Sequence, residues 1–153
     1  MRNPILFGLV ILILDQFTKF LVDKFIMYAS ILNIISFVDF FNITNVRNTG
    51  TAFSVFQDKN LLFSIIVSFL LLGLSIWLYK NWSKINRLQH YAFCLVVMAG
   101  LGNFIDRLFR GAVVDFLDFG IYSLRCPAFN IADSCICIAT SIIVIDAFIF
   151  NSK

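Results

Sequence analysis

The sequence predicts an all-α membrane protein in which four transmembrane helices carry a small β-rich cradle on the outer face. The 153-residue chain is 60% hydrophobic and 14% charged, whereas soluble domains average about 45–50% apolar and about 25% charged residues. Four apolar runs are close to the roughly 20 residues that a helix needs to cross a bilayer. The segments after the first and third runs are rich in β-branched and aromatic residues, which favour strands. At this length, residues 1–153 are expected to form one integral membrane domain.

The four predicted spans differ in how much charge they contain. They cover residues 4–27, 61–79, 91–108 and 128–150. The first contains Asp15 and Lys19, and it is too long and too charged for a cleavable signal peptide. The second contains no charged residue. The third ends in "GNFIDRLF" and the fourth begins near "FNIADS", so polar residues gather where these two spans leave the bilayer.

Basic residues predict the orientation of the spans. With four spans, the two termini and the loop between the second and third spans lie on one side of the membrane. The basic residues on that side are Arg2, Lys80, Lys84, Arg87 and Lys153. The positive-inside rule makes this side cytoplasmic. We therefore expect a multi-pass membrane protein with both termini in the cytoplasm. The net charge of +3 is too small to indicate a nucleic-acid partner.

Two outer segments are predicted to form the β-rich cradle. The first contains "ILNIISFVDFFNITNV", followed by a turn at residues 48–50 and then "TAFSVF". The second is "RGAVVDFLDFGIYSLRCPAF", which has the same strand-like composition. An open sheet cannot lie in lipid with unpaired backbone groups, so the cradle is expected at the membrane surface.

Two pairs of charged residues lie within the spans. Asp15 and Lys19 are four residues apart and share one helix face, so they predict an ion pair. This pair is interpreted either as a structural brace or as part of a functional site, because charges inside a membrane are rare. Asp106 and Arg107 are adjacent, so each needs a separate partner or reaches toward the interface.

Asp115 and Asp133 are the strongest candidates for catalysis. Both are predicted where the chain meets the outer surface of the bilayer. The loop between them can bring its ends together at small entropic cost. Two nearby carboxylates of low solvation share a proton, so that one activates water while the other protonates a carbonyl or a leaving amine. The alternative is that both aspartates cap helix ends, where the helix dipole favours an anion.

Other chemistries have little support in the sequence. The single histidine, His90, falls on the cytoplasmic side, and no His/Cys/Asp cluster has zinc-ligand spacing. We therefore expect no metal and no cofactor. Two other functions remain open from the residues alone. One is an ion- or proton-coupled transporter that uses Asp15, Lys19, Asp106 and Arg107 as a relay, and the other is a structural subunit of a membrane complex.

Five short motifs occur in order along nearly the whole chain. They are "DQFTKF" at 15–20, "NTGTAF" at 48–53, "GNFIDR" at 102–107, "VVDF" at 113–116 and "FNIAD" at 129–133. Each motif alone is weak, but the ordered set resembles that of the lipoprotein signal peptidases, the type II signal peptidases of bacteria.

The resemblance implies a function and a role for each matching residue. It implies a membrane aspartic endopeptidase, a hydrolase that cuts lipidated prolipoproteins just before the diacylglyceryl-modified cysteine. It also implies a protein of the bacterial inner membrane with its active site at the outer (periplasmic) face, in contact with membrane lipid and monomeric. The catalytic aspartates would be Asp115 and Asp133, and Asp15 with Lys19 would be a structural pair. The residues implied in substrate binding are Asn48, Gly50, Asn103, Arg107, Asn130 and Ala132.

Overall fold

The computed structural model describes residues 3–49 and 60–150, and within these ranges the predicted fold class is confirmed. Four helices are long and apolar enough to cross a membrane, and a four-stranded antiparallel sheet lies beside them. The helices are α1 (Pro4–Phe25), α2 (Asn60–Asn81), α3 (Arg87–Arg110) and α4 (Ile131–Phe150). The predicted turn residue Gly50 and the segment after it lie outside the described residues.

Side-chain caps decide where three of the helices begin. Asn3 accepts a hydrogen bond from the Ile5 amide and precedes Pro4, a residue suited to the first helical turn. Asn86 and Gln89 form a reciprocal capping box, so α3 begins at Arg87, before the apolar run at residue 91. In α4, the Asn130 side chain accepts from the Asp133 amide at 2.9 Å. This cap starts α4 three residues later than the hydrophobicity predicts.

Helix α3 is the centre of the helical bundle, because it packs against α1, α2 and α4. Small side chains allow this close packing in a membrane. A buried cluster of Ala92, Leu95 and Ala139 joins α3 to α4. The large apolar side chains on the outside of the bundle are exposed, as expected for helices that face lipid.

The sheet has the strand order β1-β2-β3-β4. Its strands are β1 (Ile31–Ile35), β2 (Phe41–Asn48), β3 (Val113–Ile121) and β4 (Leu124–Arg125). Both outer segments therefore form strands, as predicted. In the central pair, Asp115 lies opposite Val46, after a register shift that begins at Ile43.

The sheet is joined directly to one end of the helical bundle. Helix α3 ends at Arg110 and is capped by Gly111, which has a left-handed backbone with φ of 73°, and β3 begins two residues after this cap. A buried cluster of Val22, Val114 and Phe116 packs this strand against α1. Arg47 of β2 also pairs with Asp23 of α1 at 2.8 Å. The start of β3 is consequently held at a fixed position above α1 and α3.

Candidate active site

Asp115 is positioned by strand β3 and by two asparagine side chains. Its side chain is buried, with 2% of the residue exposed. Asn48, at the end of β2, donates to Oδ2 of Asp115 at 2.9 Å. Asn130, just before α4, donates to Oδ1 at 2.7 Å. The carboxyl group is therefore held by amide donors, with no cationic side chain bonded to it among the residues that the structure describes.

This environment makes Asp115 unusually hard to ionise. Burial is the larger cause and the charge of the nearby Asp133 the smaller cause that raises the pKa of Asp115 from 3.8 to about 7. The hydrogen bonds from Asn48 and Asn130 favour the anion and lower the pKa by smaller amounts. Near neutral pH this carboxyl group can therefore hold a proton, which is what a general acid requires.

Asp133 lies in the first turn of α4, as the sequence predicts for a carboxylate at the start of a span. Asn103 donates to its Oδ1 at 2.7 Å. The backbone amide of Asn130 donates to its Oδ2 at 3.3 Å, while the Asn130 side chain accepts from the Asp133 amide. This reciprocal capping box fixes the Asp133 carboxyl group at the N-terminal end of the helix. Asp133 is only half-buried, so it is more open to water than Asp115.

Two amide side chains connect the aspartates to each other. Asn130 is fully buried and donates both to Asp115 and, at 3.2 Å, to Oδ1 of Asn103. Asn103 in turn donates to Asp133. The structure therefore brings together four of the residues that the sequence singled out, from β3, α3 and the start of α4.

The remaining predicted site residues have different surroundings. Arg107 lies one turn from Asn103, donates to its carbonyl oxygen at 3.3 Å, and interacts electrostatically with both aspartates. Ala132 is fully buried, and its backbone amide donates to Asp15 at 3.0 Å. Their roles in substrate binding, like those of Asn48, Asn103 and Asn130, stay predictions. Gly50 lies outside the described residues.

The predicted Asp15–Lys19 pair is present and belongs to a larger buried cluster. Lys19 lies 2.8 Å from Asp15 and 2.7 Å from Asp106, and all three side chains are fully buried. Asp106 also accepts hydrogen bonds from Gln16 and Arg110. Sequence reasoning missed these partners, although the four-residue spacing of Asp106 and Arg110 on one helix indicated the second.

Taken together, the site offers acid–base chemistry. It has one buried carboxyl that can stay protonated and one half-buried carboxylate, which is the arrangement needed to activate water against a carbonyl group. Within residues 3–49 and 60–150, no group of three or more His, Cys, Asp or Glu side chains is arranged to hold a metal ion. That the protein needs no metal or other cofactor stays a prediction.

Known proteins resemble this chain over most of its length. A family model described as "Signal peptidase (SPase) II" matches residues 7–149. The lipoprotein signal peptidase of Fusobacterium nucleatum is 40% identical over 147 residues, which cover 95% of this chain and 86% of that protein. The lipoprotein signal peptidase of Brevibacillus brevis is 37% identical over 148 residues, covering 97% and 96% respectively.

A solved structure agrees with these sequence relatives. It is described as a bacterial membrane enzyme determined by the in meso method at 2.3 Å resolution, and it is 34% identical to this chain. The superposition covers 98% of this chain and 91% of that chain, with a TM-score of 0.86. The chain thus belongs to the signal peptidase II family, bacterial membrane proteases of the aspartic class that remove signal peptides from prolipoproteins.

Proposed function

We propose that Asp115 and Asp133 are the catalytic pair of this signal peptidase, and that it cuts prolipoproteins immediately before the diacylglyceryl-modified cysteine. The observation that carries the assignment is the amide bridge between the two carboxyl groups. Asn130 donates to Asp115, and Asn103 donates to Asp133 at the same distance of 2.7 Å. The two aspartates, one on β3 and one in the first turn of α4, are held by neutral donors, and among the described residues no cationic side chain forms an ion pair with either.

The chemistry follows from the different environments of the two carboxyl groups. Asp133 carries the negative charge, accepts a proton from water, and so directs the water oxygen to the scissile carbonyl carbon. Asp115 gives its proton to the carbonyl oxygen, and the carbonyl carbon thereby becomes a tetrahedral diol. Asp115 then takes a proton back from the diol while Asp133 protonates the amide nitrogen. The carbon–nitrogen bond breaks, and both carboxyl groups return to their starting states.

The proposed active site is at the outer face of the membrane. The aspartates lie beside the end of α3 that leads into the sheet, whereas the basic loop between α2 and α3 lies beside the start of α3. A helix of 24 residues is about 36 Å long. The positive-inside rule assigns the basic end and both chain termini to the cytoplasm. The site then meets the outer leaflet, where a lipidated substrate is anchored.

The enzyme is proposed to act as a monomer in contact with membrane lipid. One chain supplies both carboxyl groups and both bridging amides, so the dyad needs no residue from a second copy. Arg107 and Asn48 flank the carboxyl groups from α3 and β2. They are suited to hydrogen-bond the backbone of an extended substrate, as the family resemblance implies.

The transporter alternative is disfavoured by the surroundings of its proposed relay. Asp15, Lys19 and Asp106 are fully buried, and Lys19 forms an ion pair with each of the two aspartates. A proton or ion relay across the membrane needs aqueous access from both faces. The polar residues inside the bundle are therefore better explained as supports for the outer site.

Cleavage of a lipidated substrate by purified variants in detergent tests the catalytic assignment. Asp115→Asn and Asp133→Asn should each lose activity by a factor on the order of 10²–10⁴, because neither amide can exchange the required proton. Asp118→Asn is the matched control, since Asp118 is on the same strand and pairs with Arg125 at 2.8 Å. The control should retain turnover. Near-normal turnover by Asp133→Asn would refute the dyad.

A further inference from the structure

The buried Lys19 uses all of its hydrogen-bonding capacity near the active site. An ammonium group has three donors. Those of Lys19 face Asp15 at 2.8 Å, Asp106 at 2.7 Å and the side-chain oxygen of Asn103 at 2.9 Å. A brace between helices needs only the two carboxylates. The third contact leads from the ion cluster to an amide that touches Asp133.

We propose that Lys19 is a positioning residue for the proposed catalytic dyad, and that it acts by fixing the orientation of the Asn103 amide. The oxygen of this amide accepts from Lys19 and also, at 3.2 Å, from Asn130. Its nitrogen is therefore left to face Asp133. If the amide turned over, its nitrogen would face the ammonium group and its oxygen would face a carboxylate. Both new contacts would be repulsive.

The two carboxylates that hold Lys19 also reach the backbone beside each aspartate of the dyad. Asp15 accepts from the amide of Ala132, the residue immediately before Asp133, at 3.0 Å. Asp106 accepts from the amide of Val114, the residue immediately before Asp115, at 3.3 Å. The cluster thus holds the start of α4 and the start of β3 at once.

Lys19 keeps this arrangement together because the two carboxylates would otherwise repel each other. Asp106 has a second cationic partner in Arg110, but Asp15 has no ion-pair partner other than Lys19 among the described residues. Without the ammonium group, Asp15 would be a buried charge without a counterion, which is strongly disfavoured in a low dielectric. A shift of Asp15 would move the Ala132 amide and Asp133 with it.

This inference rests on the proposed function, and it predicts a specific kinetic signature for Lys19→Met. Displacing a reacting group by about 1 Å can cost on the order of a hundredfold in rate. We therefore expect kcat of the folded Lys19→Met enzyme to fall by on the order of a hundredfold. KM should change much less than kcat, because Lys19 itself is fully buried and offers no surface to a substrate.

A double-mutant cycle with Asn103→Ala identifies the route of this effect. If Lys19 acts through Asn103, adding Lys19→Met to Asn103→Ala should cost much less than it costs in the parent enzyme, since residues that act as a unit are not additive. Asp146→Ala is the control for general loss of stability. Asp146 is also buried in the bundle and accepts from Asn86 and Gln89, far from the dyad. This control should lower thermal stability and keep kcat.

Should Lys19→Met fail to fold, the double variant Asp15→Asn/Lys19→Met removes both charges and keeps the net charge of the cluster unchanged. It should show the same loss of kcat with a much smaller change in KM. Parent-like kcat in a folded variant, or an equal loss with and without Asn103, would overturn the positioning role. Asp133→Asn, assayed in parallel, separates the two proposals. An active Asp133→Asn refutes the dyad, whereas an inactive Asp133→Asn beside a fully active Lys19→Met refutes only the role of Lys19.

Discussion

Replacing Asp115 with asparagine should make the stability of the protein less dependent on pH. The folded protein raises the pKa of Asp115 to about 7, from an ordinary value of 3.8 that applies to the unfolded chain. Between these two values the unfolded chain has released its proton and the folded protein still holds it. The unfolded state then binds fewer protons, so stability falls as the pH rises. The stabilising contribution is complete below about pH 4 and is lost as the pH approaches about 7.

The size of this effect follows from the difference between the two pKa values. Each pH unit corresponds to about 1.36 kcal/mol, so a difference of about three units gives roughly 4 kcal/mol. Asparagine has no proton to release, and Asp115→Asn should gain up to this amount relative to the parent between about pH 4 and pH 7. The substitution also changes the hydrogen bonds with Asn48 and Asn130. That cost is the same at each pH, so it cancels when the two pH values are compared.

Chemical denaturation of the purified protein in mixed micelles, at about pH 4 and about pH 8, measures this difference. The free energy of unfolding of Asp115→Asn should fall less than that of the parent across this interval. Ser141→Ala, an uncharged change on the exposed side of α4, should differ from the parent by the same amount at both pH values. If the free energy of unfolding fell by the same amount in Asp115→Asn and in the parent, Asp115 would be ionised throughout this interval. That result would refute the raised pKa of Asp115. Turnover by the parent should also decline above about pH 7, where the acid loses its proton.

Gly102→Ala should destabilise the protein by about 1–3 kcal/mol, because an added Cβ would come within 2.7 Å of Oδ2 of Asp15. Gly73→Ala is the matched control on α2, where nothing lies within 4 Å of the new atom. The midpoint of thermal unfolding should fall for Gly102→Ala and stay near the parent value for Gly73→Ala. For the topology, a cysteine at exposed Ser123 should react with a membrane-impermeant reagent from outside the cell, whereas one at exposed Ser83 should react only after the membrane is opened. Labelling of Ser83→Cys in intact cells would reverse the proposed orientation.

The membrane fold could be predicted closely from the sequence because hydrophobicity acts locally. A bilayer requires about 20 apolar residues for each helix, and no tertiary contact is needed to recognise such a run. The predicted spans and the helices consequently agree in number and differ by a few residues at their ends. The largest differences, at the starts of α3 and α4, arise from the side-chain caps of Asn86 and Asn130. Caps depend on single polar residues, to which average hydrophobicity is insensitive.

The sequence by itself also indicated the polar residues of the candidate site. The charged residues were indicated because charges within or beside apolar spans need partners, and the asparagines were implied by the family resemblance. Only the tertiary structure decided how they are paired. Lys19 contacts Asp106 and Asn103 as well as Asp15, and these contacts join residues more than 80 positions apart in the chain. The four-residue spacing on one helix predicts the Asp15–Lys19 pair, since the helix fixes that geometry locally. Contacts between α1, α3, β3 and α4 depend on how the helices cross and where the sheet begins. Those features are set by side-chain packing across the whole bundle, and no short stretch of sequence contains them.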